Sequence, residues 1–524
     1  MDHINELPDC VLSYILSMLS IKDSLRTCVI SKRWFKLVLS DRRVLNFDLP
    51  NILGNDDEMH QAGYLKVEPK PKNYIEDIFR RDEELPWAEY IISESSEMLG
   101  YLNLRLCGDE FVKRVDKYLK NFRGTKIDTF MVNFYLNHKL SNITINQWII
   151  FPFAKGAERI DLLFFGEEPA TCRNCYEFPF GLVFGASSSS STVLKHMHLQ
   201  HFIMCDTVTN FVDYLIPFKN LRSFKLEDGI VDGIFITSLL SNCHLLECLS
   251  LICCKSKSRV LNIESSSSSS LCHLEIRFCY LVKEEERSDL QISLNCLKLT
   301  SFDYTGSYKA FSYINTPMLK SINSYDLMFE ELSNAFAIFA TLPQLKILHI
   351  DTFVPLVMAD DIPGRITQQL KHLKELNLVI DISNIDFLLK ANISRDISQH
   401  LGFNLLWILN NLQAFPLLQK LRVTVAHPEL FDIQKDIEDL SAFSHNEIKV
   451  IEMGGCVGNQ FEIEFAMNVL KYAHNLEQIV MSPYWRQNPI VPDWTCNQAW
   501  FQSGREMVRE KLQNEIAKGR VKLI

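Results

Sequence analysis

The sequence predicts an α/β chain: a three-helix N-terminal unit followed by a curved solenoid of repeats with short parallel strands. Three observations predict it. Apolar residues recur at helical spacing between residues 5 and 48, an L-x-x-L-x-L pattern recurs downstream, and successive copies lie one structural repeat apart. The 524 residues, 47% hydrophobic with a formal net charge of -10, exclude a disordered, collagen-like or disulfide-dense chain. No dense Lys/Arg run is present, which excludes nucleic acid as the main ligand.

The N-terminal unit comes first. Pro8 suits a first helical turn, and Asp9 is placed favourably for the helix dipole. Leu12, Ile15, Leu16 and Leu19 follow at helical spacing. A second helix begins near Ile21, with Asp23 as its expected N-cap, and carries Leu25, Cys28 and Val29. A third carries Trp34, Phe35, Val38 and Leu39. So small a bundle cannot bury Leu7, Ile15, Leu16, Leu19 and Trp34 by itself. The surplus either packs on the rest of the chain or docks another protein's helices.

Residues 51–100 are charged and read as a linker or long loop. An amphipathic helix follows around Phe111–Leu119, then a strand at Ile127–Phe134, a helix around Trp148 and a strand at Arg159–Phe164.

The repeat then dominates. Apolar triplets stand at Leu194/Met197/Leu199, Leu221/Phe224/Leu226, Leu246/Leu249/Leu251, Leu271/Leu274/Ile276 and Leu299/Phe302/Tyr304. Others stand at Leu345/Leu348/Ile350, Leu373/Leu376/Leu378, Leu418/Leu421/Val423, Ile448/Ile451/Met453 and Leu476/Ile479/Met481. The first five start at 194, 221, 246, 271 and 299, intervals that fit the roughly 20–29 residues of a leucine-rich repeat. Cys254, Cys279 and Cys456 fall three positions after the last apolar residue and read as structural cysteines. Spacing loosens between Leu373 and Leu418, where Leu401, Leu405, Leu406, Ile408, Leu409 and Leu412 form an apolar helical stretch. Serine runs at Ser187–Ser191 and Ser265–Ser270 read as solvated loop insertions.

If the triplet residues face the core, the residue between the last two points out on the concave sheet. That gives the row His198, Lys225, Ser250, Glu275, Asp303, His349, Asn377 and Arg422, flanked by Arg277 and Tyr304, as the candidate substrate face. A plain solvated face is the competing reading.

No catalytic constellation is found: H-E-x-x-H, P-loop and G-x-S-x-G patterns are missing, and Gly454–Gly458 does not fit a dinucleotide fingerprint. A Cys/His framework of the RING type is missing too. Cys172 and Cys175 have zinc-ligand spacing, with His196, His198, His201 and Cys205 downstream, but His196 and His198 share one face of a strand and Cys175 lies in a loop. No metal ligand and no cofactor is assigned. The fifteen cysteines read as reduced thiols, the N-terminus lacks a signal-peptide pattern, and no apolar run is long enough to span a bilayer. Membrane is therefore not an expected partner, the N-x-[ST] matches at Asn142 and Asn392 read as chance, and the expected location is cytoplasm and/or nucleus.

Leu7-Pro8-Asp9-x-Val11-Leu12-x-x-Ile15-Leu16-x-x-Leu19, then Asp23, Arg26, Ser31-Lys32-Arg33-Trp34 and Leu45-x-Phe47, resembles the F-box of plant proteins. The resemblance implies docking onto a Skp-family adaptor and, through it, a cullin and a RING protein, with Leu7, Pro8, Ile15, Leu16, Leu19 and Trp34 at the adaptor-contacting positions. Leu239-Leu240-Ser241-Asn242-Cys243-x-Leu245-Leu246-Glu247-x-Leu249 is similar to the repeats of plant F-box proteins with leucine-rich repeats. Residues 448–483, with Ile448, Ile451, Phe461, Glu462, Leu470, Ala473, Leu476 and Glu477, resemble the FBD module that closes many of them. A terminal helix from Gly504 through Leu512 and Ile516 and a strand at Val521–Leu523 continue that pattern. The implied organisation is an F-box at 1–50, a linker at 51–100, repeats at 101–440 and an FBD-like cap at 441–524. The implied function is that of a non-catalytic receptor which positions a target protein in an SCF-type ubiquitin ligase. The alternative is an interaction scaffold that binds the adaptor or other proteins without delivering a substrate.

Overall fold

A computed structural model describes residues 3–62, 104–135, 142–165, 175–187, 193–205, 211–265, 268–282, 290–328, 332–353, 366, 368–382, 405–430, 444–486 and 494–524. Two compact units divide the chain. The first is Met1–Asn262 with Ser268–Leu271 and Tyr280–Leu290, and the second is Ile263–Ser267, Cys272–Cys279 and Gln291–Ile524.

The first unit opens with a single turn at His3–Glu6 and three helices: α1 (Asp9–Met18), α2 (Ile21–Thr27) and α3 (Lys32–Ser40). Pro8 precedes α1, as its missing N–H allows. The cap of α2 is Ser20 rather than the expected Asp23. Ser20 Oγ accepts from Asp23 N at 3.0 Å and donates to Asp23 Oδ2 at 2.8 Å, so Asp23 orients the capping hydroxyl from the third helical position. The chain then enters a strand at Val44–Phe47, where Leu45 and Phe47 are fully buried. The expected linker instead begins with two short helices, Leu49–Leu53 and Asp56–Gln61, because Asp48 caps the first and Ile52, Leu53 and Met59 have a core to enter. The rest of the 51–100 interval lies outside the described residues.

Val44–Phe47 is the first of six parallel strands in this unit, followed in order by Thr129–Tyr135, Arg159–Phe165, His196–Gln200, Ser223–Glu227 and Cys248–Ile252. The helices Leu104–Asn121, Asn142–Ala154, Phe180–Ser187 and Gly233–Asn242 lie between them in sequence. A second parallel sheet of two- and three-residue strands, Tyr176–Glu177, Phe202–Met204, Ile230–Val231, Lys255–Ser256 and Tyr280–Leu281, takes up the chain as it leaves the larger one. Between the sheets the chain turns through the left-handed region at His201 (φ 63), Asp228 (φ 48) and Cys253 (φ 52). The His201 N–H donates to Glu227 O and the Asp228 N–H to Ile252 O, each at 3.0 Å and each reaching the next repeat.

Nine strands of the second unit lie parallel in its larger sheet: His273–Arg277, Ser301–Thr305, Ser321–Met328, Ile347–Phe353, Glu375–Asp381, Lys420–Ala426, Val450–Gly454, Gln478–Met481 and Val521–Leu523. Left-handed corners recur at Phe278, Gly306, His427 and Gly455. The helices Leu332–Phe339, Leu406–Asn411 and Gln460–Tyr472 cover the core side, and the terminal helix is broken at Leu512 into Arg505–Lys511 and Gln513–Ala517.

Every triplet residue predicted from the sequence is buried, the most exposed being Leu476 at 7%. Alternate residues on the same strands face away from that core, as the period of a pleated strand requires. Cys254 and Cys456 are buried, and the Cys254 thiol donates to Leu226 O at 3.3 Å, tying one repeat to its predecessor. No disulfide joins the described cysteines.

Candidate docking and ligand-binding surfaces

The three N-terminal helices are held by polar bonds that free an apolar surface. Arg33 donates to Asp9 Oδ1, Asn5 O and Leu7 O, each at 2.6 Å, pinning the entry of α1 onto α3. Arg42 donates to Leu19 O at 2.9 Å and Ser24 Oγ at 3.0 Å, and Ser24 Oγ donates to Leu16 O at 3.0 Å. Glu58 meets Lys22 at 3.0 Å and Arg26 at 2.8 Å, and those two cations hold its carboxyl down at about 2.

Inside this frame Leu12, Leu16, Ile21, Trp34, Leu37, Val38 and Leu39 form the core. Two expected adaptor contacts are thereby corrected. Leu16 (4% exposed) and Trp34 (3%) are turned inward, and neither has surface to offer a partner. Of the other four, Pro8 is exposed and Leu7, Ile15 and Leu19 are half-buried. The large apolar groups left in solvent are others: Tyr14 (67%), Met18 (72%), Val29 (89%), Phe35, Ile30 and Val11. Val11, Tyr14 and Met18 follow one face of α1, opposite Leu12 and Leu16.

The expected substrate row is brought together by strand register, within each unit separately. In the first unit His198 pairs Lys225 and Lys225 pairs Ser250, and the row extends back to Asp161, Met131 and Asn46, which sequence reasoning missed. Glu227 lies beside it, with Lys225 at 2.5 Å and His198 at 3.3 Å. Burial opposes ionisation of Glu227, yet these two partners hold its carboxyl at about 2.

In the second unit the register runs Glu275, Asp303, Asn323, His349, Asn377, Arg422, Glu452. Asn323 and Glu452 were not expected. Asn323 was hidden because its repeat, Leu319-x-x-Ile322-x-Ser324, places Ser324 at the third core position. Tyr304 is a further correction. It occupies a third core position, is 4% exposed and stacks on Phe302 at 5.7 Å, so it anchors the interior and not a ligand. The aromatic on the open face is Tyr325, against which Arg277 lies at 4.8 Å.

Burial and the Arg422 guanidinium push the His349 imidazole down to about 4. Arg422 is paired with Glu452, which Lys420 also meets at 2.8 Å. Cys172 lies outside the described residues, while Cys175 Sγ donates to Asp228 O at 3.6 Å. Among the described residues no group of His, Cys, Asp or Glu is placed to hold a metal ion, and no helix is long and apolar enough to cross a membrane.

Comparison with known proteins matches this division of the chain. Residues 4–46 match the F-box domain, and residues 118–517 match the LRR domain described for At1g61320/AtMIF1. The chain belongs to the plant F-box/leucine-rich-repeat family. A protein of Arabidopsis thaliana named as an FBD-associated F-box protein, At5g44940, is 49% identical over 51 residues, which is 9% of this chain. That alignment spans only 14% of the relative's own length. The F-box and the repeats make this a protein of the protein–protein interaction class, and F-box domains generally bind Skp-type adaptors. The most exposed large apolar groups of this F-box are Tyr14, Met18 and Val29.

Proposed function

We propose that this protein is the substrate-recognition subunit of an SCF-type E3 ubiquitin ligase. Its F-box docks a Skp-family adaptor, the adaptor joins it to the cullin and RING protein, and its repeats hold a target protein. The observation that supports the reading is the pairing of a polar-braced, internally packed F-box with large apolar side chains left in solvent on the same helices. Burying such groups is worth about 1.5–3 kcal/mol each, so a partner helix has much to gain there. The protein itself performs no chemistry in this role. It raises the effective concentration of a target lysine beside the ligase. The reading places it in the cytoplasm or nucleus and takes residues 448–483 as an FBD-like module.

The test uses the full chain, because deleting the F-box would also remove the buried strand Val44–Phe47. Affinity purification under proteasome inhibition should recover adaptor, cullin and target with the wild-type protein. With Tyr14→Asp/Met18→Asp, adaptor and cullin should be lost together while the target is retained. Recovery of the adaptor without ubiquitination of any retained target would instead establish a non-degradative scaffold.

A further inference from the structure

The open face of the second unit carries unmet hydrogen-bonding capacity at one place. Ile276 pairs Tyr304 and Thr305 pairs Tyr325, so Arg277, Thr305 and Tyr325 lie side by side on three neighbouring strands. Arg277 reaches across Thr305 to lay its guanidinium on the Tyr325 ring, and Tyr325 in turn packs against His349 at 5.7 Å. Arg277 and Thr305 are each 8% exposed. Arg277 Nη1 meets Glu275 at 3.2 Å, but Arg277 Nε, Thr305 Oγ1 and, farther along the face, Asn377 Oδ1 are buried with no hydrogen-bond partner. Buried polar atoms are rarely left so in a finished interior.

The charge around these atoms is one-sided. Along the five strands from His273–Arg277 to Glu375–Asp381, the carboxylates at described outward positions are Glu275, Asp303, Asp351, Glu375 and Asp381, against the fixed cation Arg277; Arg422, beside Asn377 on the next strand, is taken up by Glu452. The guanidinium is already paired, so an anion would meet net repulsion. The unmet atoms include both donors and an acceptor, as an extended polypeptide backbone demands.

We infer that this face of the second unit binds an extended, lysine- or arginine-bearing peptide segment. Its backbone carbonyls are taken by Arg277 Nε and the Thr305 hydroxyl, a backbone N–H is taken by Asn377 Oδ1, and its cationic side chain is directed to Asp303 and Asp351. The inference rests on the receptor reading above and names the chemical class of the target it would hold.

Fluorescence polarisation with the full-length protein bound to its adaptor tests it, using a labelled ten-residue peptide alternating Lys and Ser and its Glu–Ser counterpart as probes. The Lys peptide should bind at least about tenfold more tightly than the Glu peptide. Asp303→Asn and Thr305→Val should each weaken the Lys peptide about fivefold or more, whereas Glu477→Gln, on an exposed carboxylate away from the site, should not. Thr305→Val should do so with the melting temperature unchanged or raised, since Val removes an orphaned hydroxyl while preserving shape. Equal or tighter binding of the Glu peptide, binding of the Lys peptide indifferent to both site variants, or no binding of either peptide would overturn the inference. A reporter carrying the Lys peptide that is captured but never ubiquitinated would leave this site standing and remove the receptor role. Ubiquitination of a native target undiminished in both site variants would do the reverse.

Discussion

Trp34 Nε1 donates to Asn5 Oδ1 at 2.7 Å, joining the third F-box helix to the turn that precedes the first. The tryptophan thus acts from inside the domain, its ring buried and its one polar atom satisfied by the N-terminal turn. Trp34→Phe keeps most of the ring's packing and removes the bond. It should lower stability by about 1 kcal/mol, whereas Trp34→Ala should lower it by about 3–5 kcal/mol. Denaturant unfolding of both variants, read from the phase that includes the F-box, checks the difference.

Adaptor docking and F-box stability should separate by residue. Tyr14→Asp, Met18→Asp and Val29→Asp should abolish adaptor binding with little change in melting temperature, since all three side chains are in solvent. Leu16→Ala should instead destabilise by about 2–5 kcal/mol and weaken the adaptor only through unfolding. Calorimetric titration beside thermal melts decides. Full adaptor affinity in the three aspartate variants would contradict the docking surface described here.

A pH-dependent term resides at Glu462. This carboxylate, in the first turn of Gln460–Tyr472, is buried and accepts from Val457 N and Gly458 N at 3.2 and 2.9 Å. Burial outweighs those bonds and pushes the carboxyl up to about 7. A carboxyl whose pKa is raised by folding contributes stability that is present below its unfolded pKa and lost as pH rises through the folded value. Glu462→Gln keeps an acceptor for the backbone amides and removes the charge. It should therefore gain on the wild type between pH 5 and 8, reaching about 3 kcal/mol at pH 8. Urea midpoints across that range measure the difference, and a constant offset would refute the assignment.

Gly455 tests a contact and not merely a dihedral angle. Its φ of 67° is shared by non-glycine corners such as His201, so left-handed backbone alone does not demand glycine there. A Cβ at 455, however, would lie 1.9 Å from Val425 O. Gly455→Ala should destabilise by about 2 kcal/mol or more, well above the effect of Phe278→Ala on the backbone of an equivalent corner. Thermal melts of the two variants compare them directly.

How far the sequence carried depended on how redundant each signal was. The repeat core was legible because Leu249 and Leu251, like their counterparts, are apolar for one reason and recur at one spacing. Reading failed where a single position broke the pattern. Ser324 concealed a whole strand, and with it Asn323 and Tyr325 on the open face. Trp34 and Leu16 were assigned outward because a short helix offers two apolar faces, and spacing alone does not say which one the protein's own core takes. Tyr304 met both descriptions, a core position and a neighbour of the row, and burial decided for the core. Partners such as Arg277 with Tyr325, 48 positions apart in the chain, depend on register across strands, which no local pattern encodes.

The left-handed corners of the first unit bear on how the protein comes to be assembled. His201 holds its unfavourable backbone while its N–H is taken by Glu227, and Asp228 does so while its N–H is taken by Ile252. Each turn is therefore stabilised by a strand that emerges from the ribosome later. A nascent chain ending near residue 242 would have formed Asp228 without the carbonyl that rewards its conformation, and would leave its last complete repeat open to water and proteases. At these two corners, then, completion of a repeat waits on its successor.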